Sequence, residues 1–384
     1  MPIENIQKFV LVLLYGSLVL QSFTLLANPM NVNKKANFAF GIFLFLWSGY
    51  WILDILTICG FSPGPILIFS VYSVLIFTPL FLFFSVVFFI NPNYQFGKKD
   101  LICFVIPVIY LIVLFNSEEN KILHILAMLI VIVHNLPYVG IIYYKIRKHQ
   151  KRIEIISSNT ESINLQWLIK LSFLLFITII ITVCYELFNT FIYKMHQNLV
   201  MDLLFLFIVY STFYHILRQK EIYPVSKMQL EELLSIEPES EEKAEKKKLI
   251  PDEDFEGLKE KLLTLMKDEK PYLEGDLNLL KLSELIGIST HQLSYLLNNG
   301  FNENFFQFVN KYRVAHAKEL LLSDSYYKMS VLGIAFESGF NSKTAFNTMF
   351  KKIMGITPSE FRKNQKESDS ADTGNLNRYP EKPL

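Results

Sequence analysis

Ten consecutive residues, "FLFFSVVFFI" at 81–90, hold no charge and a single hydroxyl, Ser85. A helix on a water-soluble core shows a polar stripe every three or four residues. This run shows none, so as a helix it is apolar on every side. It lies within 65–90, and a hydrocarbon core is crossed by roughly 20 apolar residues of helix. Six more spans share the property: 9–27, 36–59, 101–115, 121–144, 164–187 and 198–217. The fourth of the seven in chain order, 101–115, is the shortest, and Pro107 interrupts it. The fold class expected is all-α: a seven-helix transmembrane bundle in residues 1–217, followed by something unlike it.

The change shows in the charges. Hydrophobic residues make up 51% of the 384 and charged ones 19%, with 34 phenylalanines and a net charge of +1. The near-zero sum averages two unlike halves, so each must be read alone. Lys, Glu and Asp are sparse up to Leu217 and dominant from Arg218 onward.

Loop charges predict the orientation. Lys34 and Lys35 follow span 1, and Lys98 and Lys99 follow span 3. Lys145, Arg147, Lys148, Lys151 and Arg152 follow span 5, and Arg218 and Lys220 follow span 7. The alternate loops hold "GFSPG", the acidic "NSEENK", and Lys194 alone. Positive loops stay in the cytoplasm, so the amino terminus is expected outside and the carboxyl terminus inside. The alternation also supports counting the short fourth span. Span 1 is expected to stay uncleaved: Lys8 is offset by Glu4, and "LLANP" is a poor small-residue cleavage site. Cys59, Cys103 and Cys184 make no disulfide framework and are expected to be buried and inert, although Cys59 and Cys184 could meet at the outer side.

Ionisable residues inside membrane spans are costly and serve as functional candidates. Asp54, His124, Glu186 and Asp202 lie in spans 2, 5, 6 and 7, all toward the outer side, with His196 in the adjoining loop and His134 near mid-span. An outward-facing ligand pocket among these spans is one expectation. Side chains reaching the headgroup region are the other. Pro79, Pro107 and Pro137 are expected to kink their helices and free carbonyls beside such a cavity. A metal hydrolase finds no support. His124 and His134 are ten residues apart, roughly 80° off a common helix face. No paired-histidine zinc motif, Gly-x-Ser-x-Gly or phosphate loop occurs. No enzyme, metal or cofactor is expected.

Residues 218–250 read as a charged cytoplasmic linker: "LEELLSIEPESEEKAEKKKLIPDED" is charge-rich and lacks aromatics. Leu230, Leu233 and Leu234 could support a helical turn or two. As a flexible tether, this length spans roughly 30 Å.

Periodic structure resumes at 251. Phe255, Leu258, Leu262, Leu265 and Met266 share one helix face. In "KLSELIGISTHQLSYLLNNGF" (281–301), Leu282, Leu285 and Ile286 form one inner face and Gly287 closes that helix. Ser289 and Gln292 form a capping box for the next, whose Leu293, Leu296 and Leu297 point inward. Helix, tight glycine turn, helix is the helix-turn-helix plan. It recurs in "VLGIAFESGFNSKTAFNTMFKK" (331–352), with Gly339 as the turn and Phe346, Met349 and Phe350 inward. Ala335, and Ser283 before it, are small enough to let the paired helices cross closely. A helical stretch, 302–324, joins the two units. Over 281–366 bases outnumber acids by about five, the footprint a polyanion partner needs.

On "KPYLEGDLNLLKLSELIGISTHQLSYLLN", "FVNKYRVAHAKELL" and "IAFESGFNSKTAFNTMFKKIMGITPSEFRK", this region closely resembles the DNA-binding domain of AraC/XylS-type transcriptional regulators. The likeness covers 255–363, under a third of the chain, and the domain is expected to occupy 251–366. It implies two helix-turn-helix units entering neighbouring major grooves of double-stranded DNA, and a transcription regulator, usually an activator, with RNA polymerase as a partner and a homodimer as a further expectation. The apolar half does not match the sugar-binding domain of soluble members, so their ligand does not carry over. Bacterial regulators that join multi-pass membrane domains to this tail are similar in plan.

The outward positions of the first recognition helix are Thr290, His291, Gln292, Ser294, Tyr295 and Asn298. Gln292 is expected to be occupied by capping, so His291 and Tyr295 are favoured. On the second, Ser342, Lys343, Thr344, Asn347, Thr348 and Lys351 face out. Lys343 and Asn347 suit base edges. Lys351, Lys352 and Arg313 suit phosphate or local packing. Where many members of that family carry Arg or Lys, this chain has Thr348, which can bond a phosphate but brings no charge. Affinity is then expected to be lower, with membrane tethering as an offset. Residues 367–384 read as a disordered polar tail.

The function expected is a membrane-embedded one-component regulator of the bacterial cytoplasmic (inner) membrane. An extracytoplasmic or membrane ligand would act through the bundle on DNA binding. A signal-blind tether controlled by a partner or by proteolysis is the alternative, and a transporter with a regulatory tail the third.

Overall fold

The structure, a computed structural model, describes residues 3–117, 120–191, 199–220 and 249–371. Most of the linker, the tail beyond Ala371, and His196 lie outside the described residues. Among the described residues there are helices and one isolated antiparallel bridge, Ser157 to Asn278, and no strands. The chain divides into two units, Met1–His149 with Ser162–Pro224, and Gln150–Glu161 with Val225–Leu384.

The first unit holds α1 (Ile3–Ala27), α2 (Lys34–Ser48), α3 (Ile52–Ile58), α4 (Pro65–Leu75), α5 (Thr78–Ile90), α6 (Val105–Phe115), most of α7 (Lys121–Ile156), α8 (Gln166–Phe191) and α9 (Leu199–Arg218). Among the described residues, six helical stretches are long and apolar enough to cross a membrane. The fourth expected span is not among them. It is a 3₁₀ stretch, Lys98–Phe104, leading into the eleven-residue α6. Pro107 sits in the first turn of α6, where its missing N–H has no intrahelical partner to lose. Pro79 likewise opens α5 just after α4 ends. Pro137 alone lies inside a helix, the 36-residue α7. The carbonyl expected to be freed near Pro79 has a user: buried His134 hydrogen-bonds the backbone of Ile76 at the α4–α5 break.

Packing in this unit centres on α1, α2, α5 and α9, around Leu14, Leu18, Phe40, Phe43, Trp47, Phe89 and Val209. Ser22 Oγ donates to the Gly41 carbonyl at 2.8 Å across α1 and α2. A Cβ on Gly41 would lie 2.9 Å from Leu26 Cγ, so glycine sets how closely these helices approach. The outside is apolar too: Phe9, Phe23, Ile66, Phe115, Ile122 and Phe207 are each at least 65% exposed. That exterior also corrects the cysteine expectation. Cys59 and Cys184 are exposed, Cys103 is half-buried, and all three are free.

The second unit holds α10 (Asp252–Asp268), α11 (Leu279–Ile286), α12 (Thr290–Gly300), α13 (Phe305–Leu322), α14 (Val331–Glu337), α15 (Lys343–Met354) and α16 (Pro358–Ala371). Its core takes Leu262 and Met266 from α10, Leu282 and Ile286 from α11, Leu293, Leu296 and Leu297 from α12, and Phe305, Phe308 and Val309 from α13. A further cluster joins the end of α13 to Ile334, Ala335, Phe340, Phe346, Met349, Phe350 and Phe361. Leu285, placed inward by its spacing, is 49% exposed. Its helix is two turns long, and Leu282 and Ile286 already fill the narrow inner stripe. The last helix runs to Ala371, taking in the first five residues of the expected tail.

Candidate nucleic-acid interface

Each helix that could enter a groove begins at a serine cap. Ser289 Oγ accepts the Gln292 N–H, and the Gln292 side chain accepts the Ser289 N–H at 3.0 Å, the reciprocal box its sequence implies. Ser342 Oγ accepts the Ala345 N–H at 3.0 Å. The preceding helices end at glycines in the left-handed region, Gly287 at φ +80° and Gly339 at φ +82°. The unit closes with another cap: Thr357 donates its N–H and hydroxyl to Glu360, holding that carboxyl below its ordinary value.

On α15 the geometry leaves Lys343, Thr344, Thr348 and Lys351 exposed, with Ser342 and Asn347 half-buried beside them. Phe346, Met349 and Phe350 anchor the opposite face. The α12 candidates are less open. His291, Ser294, Tyr295 and Asn298 are all half-buried. The Tyr295 ring meets Phe255 of α10 edge-on, 6.2 Å between centroids. Thr290, placed outward by the sequence reading, is 1% exposed. It stands three residues before Leu293 and seven before Leu297, so helix periodicity carries it to the inner face.

Of the two roles open to Arg313, phosphate contact or local packing, the structure gives it packing. It is 1% exposed, and no DNA phosphate can reach it. Its Nε donates to the Tyr272 carbonyl at 2.7 Å and Nη2 to the Glu274 carbonyl at 2.8 Å. Nη2 also donates to Ser158 Oγ at 3.0 Å, and Nη1 to the Ser158 carbonyl at 3.3 Å. The guanidinium lies 5.8 Å from the Phe340 ring centroid. Burial pushes Arg313 down to about 10, with Asp276 opposing, so it stays charged at neutral pH. The signal was present in the sequence: Val309, Arg313 and Ala317 are four apart, one inner helix face.

The Tyr272 carbonyl meets a second element. A Cβ on Gly339 would lie 2.4 Å from that oxygen and 3.0 Å from the Leu273 backbone. Asn341 Nδ2 adds a bond to the Gly275 carbonyl at 3.1 Å. The two helix-turn-helix units therefore meet at the stretch before α11, with Arg313 of the connecting helix on one side and the Gly339 turn on the other.

Of the ligand-pocket candidates, the structure brings two together. Asp202 is buried and accepts from the side chains of Gln7 and Trp51, with the charge of Asp54 close by. His124 is exposed in the first turn of α7. The Glu186 side chain lies outside the described residues. The apolar unit has a hollow of about 600 Å³, but it is lined by α1, α2 and α5, including Lys34, Lys35, Phe38, Phe81 and Phe88, and by none of the four.

Comparison with known proteins adds to this geometry. The profile described as "Helix-turn-helix domain" matches residues 282–364. An uncharacterized HTH-type transcriptional regulator of Staphylococcus aureus (strain COL) is 34% identical over 91 residues, 24% of this chain and 12% of that protein. The virulence regulon transcriptional activator VirF of Yersinia enterocolitica is 30% identical over 94 residues, 24% of this chain and 33% of VirF. The chain thus spans a third or less of these relatives. The crystal structure of the C-terminal domain of the response regulator yesN from Fusobacterium nucleatum is 30% identical, covering 28% of this chain and 98% of that one, at a TM-score of 0.25. Residues 282–364 are a helix-turn-helix domain of AraC type, shared with proteins named as transcriptional regulators.

Proposed function

We propose that the chain is a membrane-embedded, non-enzymatic transcription regulator that binds double-stranded DNA through α12 and α15. The observation that carries this reading is the AraC-type domain, whose α15 buries three aromatic or thioether anchors and exposes Lys343, Thr344, Thr348 and Lys351. Membrane embedding rests on the six long apolar helices and on large apolar side chains exposed along them. A seventh crossing at 101–115 fits as well. A 3₁₀ turn rises about 2 Å per residue, so this stretch covers roughly 25 Å, close to the hydrocarbon thickness. Seven crossings and the loop charges of the sequence support an amino terminus outside and the DNA-binding domain, about 251–366, in the cytoplasm. The proposal includes a signal reaching the bundle, RNA polymerase as a partner, and a second copy on DNA.

Chromatin capture from the membrane fraction tests it. DNA should be enriched with the full chain in membranes; recovery of the chain in the soluble fraction, or without enriched sequences, would count against the proposal. On the captured sequence, Asn347→Ala should cost about 2 kcal/mol, some thirty-fold, if Asn347 reads an adenine edge. Thr348→Arg should bind more tightly and steepen the salt dependence by about one phosphate contact. Equal salt slopes for Thr348→Arg and wild type would show that this position does not face the backbone of DNA.

A further inference from the structure

The stretch following α7 in sequence packs as part of the carboxyl-terminal unit. Ser158 is 2% exposed there, and every polar group it has is used. Its Oγ donates to the Leu277 carbonyl at 2.6 Å and accepts from Arg313. Its carbonyl accepts from Asn310 Nδ2 at 3.1 Å and from Arg313. Ser157 pairs with Asn278, the cap of α11. Glu154 bonds the side chain of Asn304, the cap of α13, within the field of Lys352. Glu161 then accepts from Ser342 Oγ, whose oxygen is already capping α15.

That last contact bears on function. The start of a helix presents partial positive charge and unpaired N–H groups, and it draws anions. On α15 the same end carries Lys343. A DNA phosphate docking there meets the Glu161 carboxylate already bonded to Ser342. The two anions cannot share the place.

We propose that residues 157–161 are an intramolecular latch on the DNA-binding domain: Glu161 occupies a phosphate position at the start of α15, and Ser158 anchors the segment on Arg313. The inference rests on α15 being a DNA-contacting helix, as proposed above. The latch is covalently continuous with α7, so displacement of the end of α7 pulls on it. DNA binding requires Glu161 to leave, while Ser158 has a buried seat to return to.

The test uses the full chain in lipid nanodiscs and a labelled random-sequence duplex of about 30 base pairs, roughly three helical turns. Glu161→Gln should bind about five-fold more tightly than wild type, the scale of one charge beside a helix start. Glu256→Gln, the same charge change on exposed α10, should not. As a second measurement, Glu161→Cys with Ser342→Cys, in a Cys59→Ser, Cys103→Ser, Cys184→Ser background, should cross-link on oxidation and lose duplex binding. Reduction should restore binding to the level of Ser342→Cys alone in the same background. Wild-type binding with no gain in Glu161→Gln beyond Glu256→Gln, or an oxidised pair that binds as well as the reduced one, overturns the latch alone. Failure of wild type, Glu161→Gln and the reduced pair to bind any duplex overturns the DNA-binding reading as well.

Discussion

Gly339→Ala is expected to destabilise the second helix-turn-helix unit by about 3 kcal/mol, and Gly287→Ala the first by only about 1 kcal/mol. Both glycines close a helix in the left-handed region, at φ +82° and +80°. An L-side chain there costs about 1 kcal/mol or slightly more wherever it is. The surroundings separate the two. Around Gly287 a Cβ would meet nothing within 4 Å, whereas at Gly339 it would lie 2.4 Å from the Tyr272 oxygen. That oxygen is backbone, held in turn by Arg313. It cannot swing aside as a side chain could, so α14 and α15 must move away from the stretch before α11. Hydrogen exchange of α14 and α15 amides in the full chain would measure the effect. Equal losses at the two glycines would rule out the close approach at Tyr272. Because the shift separates the two units, Gly339→Ala should also lose duplex binding that requires both.

Arg313→Met is expected to cost about 3–5 kcal/mol, the range for removing one side of a buried charged network. Methionine keeps much of the volume and the apolar stem. It leaves the Tyr272, Glu274 and Ser158 carbonyls without their guanidinium donor in a buried place. Arg313→Lys should recover only part of the loss, because a point ammonium cannot reproduce the planar fork that reaches all three. Thermal unfolding of the unit, followed by exchange at α11 to α15, distinguishes this from a surface role. A phosphate-contacting arginine would lower DNA affinity and its salt slope while leaving exchange protection unchanged. Loss of protection with Lys343, Thr344 and Lys351 still intact is the expected result.

Much of this molecule was legible from local pattern. The apolar runs predicted α1, α2, α4, α5, α7, α8 and α9 because backbone and side chains there obey one rule along contiguous sequence. The capping box at Ser289 and the glycine stops at Gly287 and Gly339 are likewise local, since each motif closes within a few residues. At other positions residue type and periodicity point different ways. Polarity suggests an outward Thr290, and a phosphate contact as one of two roles for Arg313, although their spacing puts both on inner faces. Leu285 shares the inner spacing of Leu282 and Ile286, yet its helix is too short to bury three rows.

The sequence by itself determined that the chain is helical, where the turns at Gly287 and Gly339 fall, and that two helix-turn-helix units follow an apolar half. Hydrogen-bond periodicity and capping are short-range, so a single chain read in order carries them. Only the tertiary structure decided which of two similar glycine turns is sterically locked, that Arg313 is a buried connector, and that Arg313 bonds Ser158 while Ser342 bonds Glu161. Arg313 and Ser158 are 155 residues apart, and Ser342 and Glu161 are 181 apart. No repeat or local motif relates such positions. They meet because a buried guanidinium must find acceptors and a helix start favours an anion, and the folded chain alone specifies which ones are within reach.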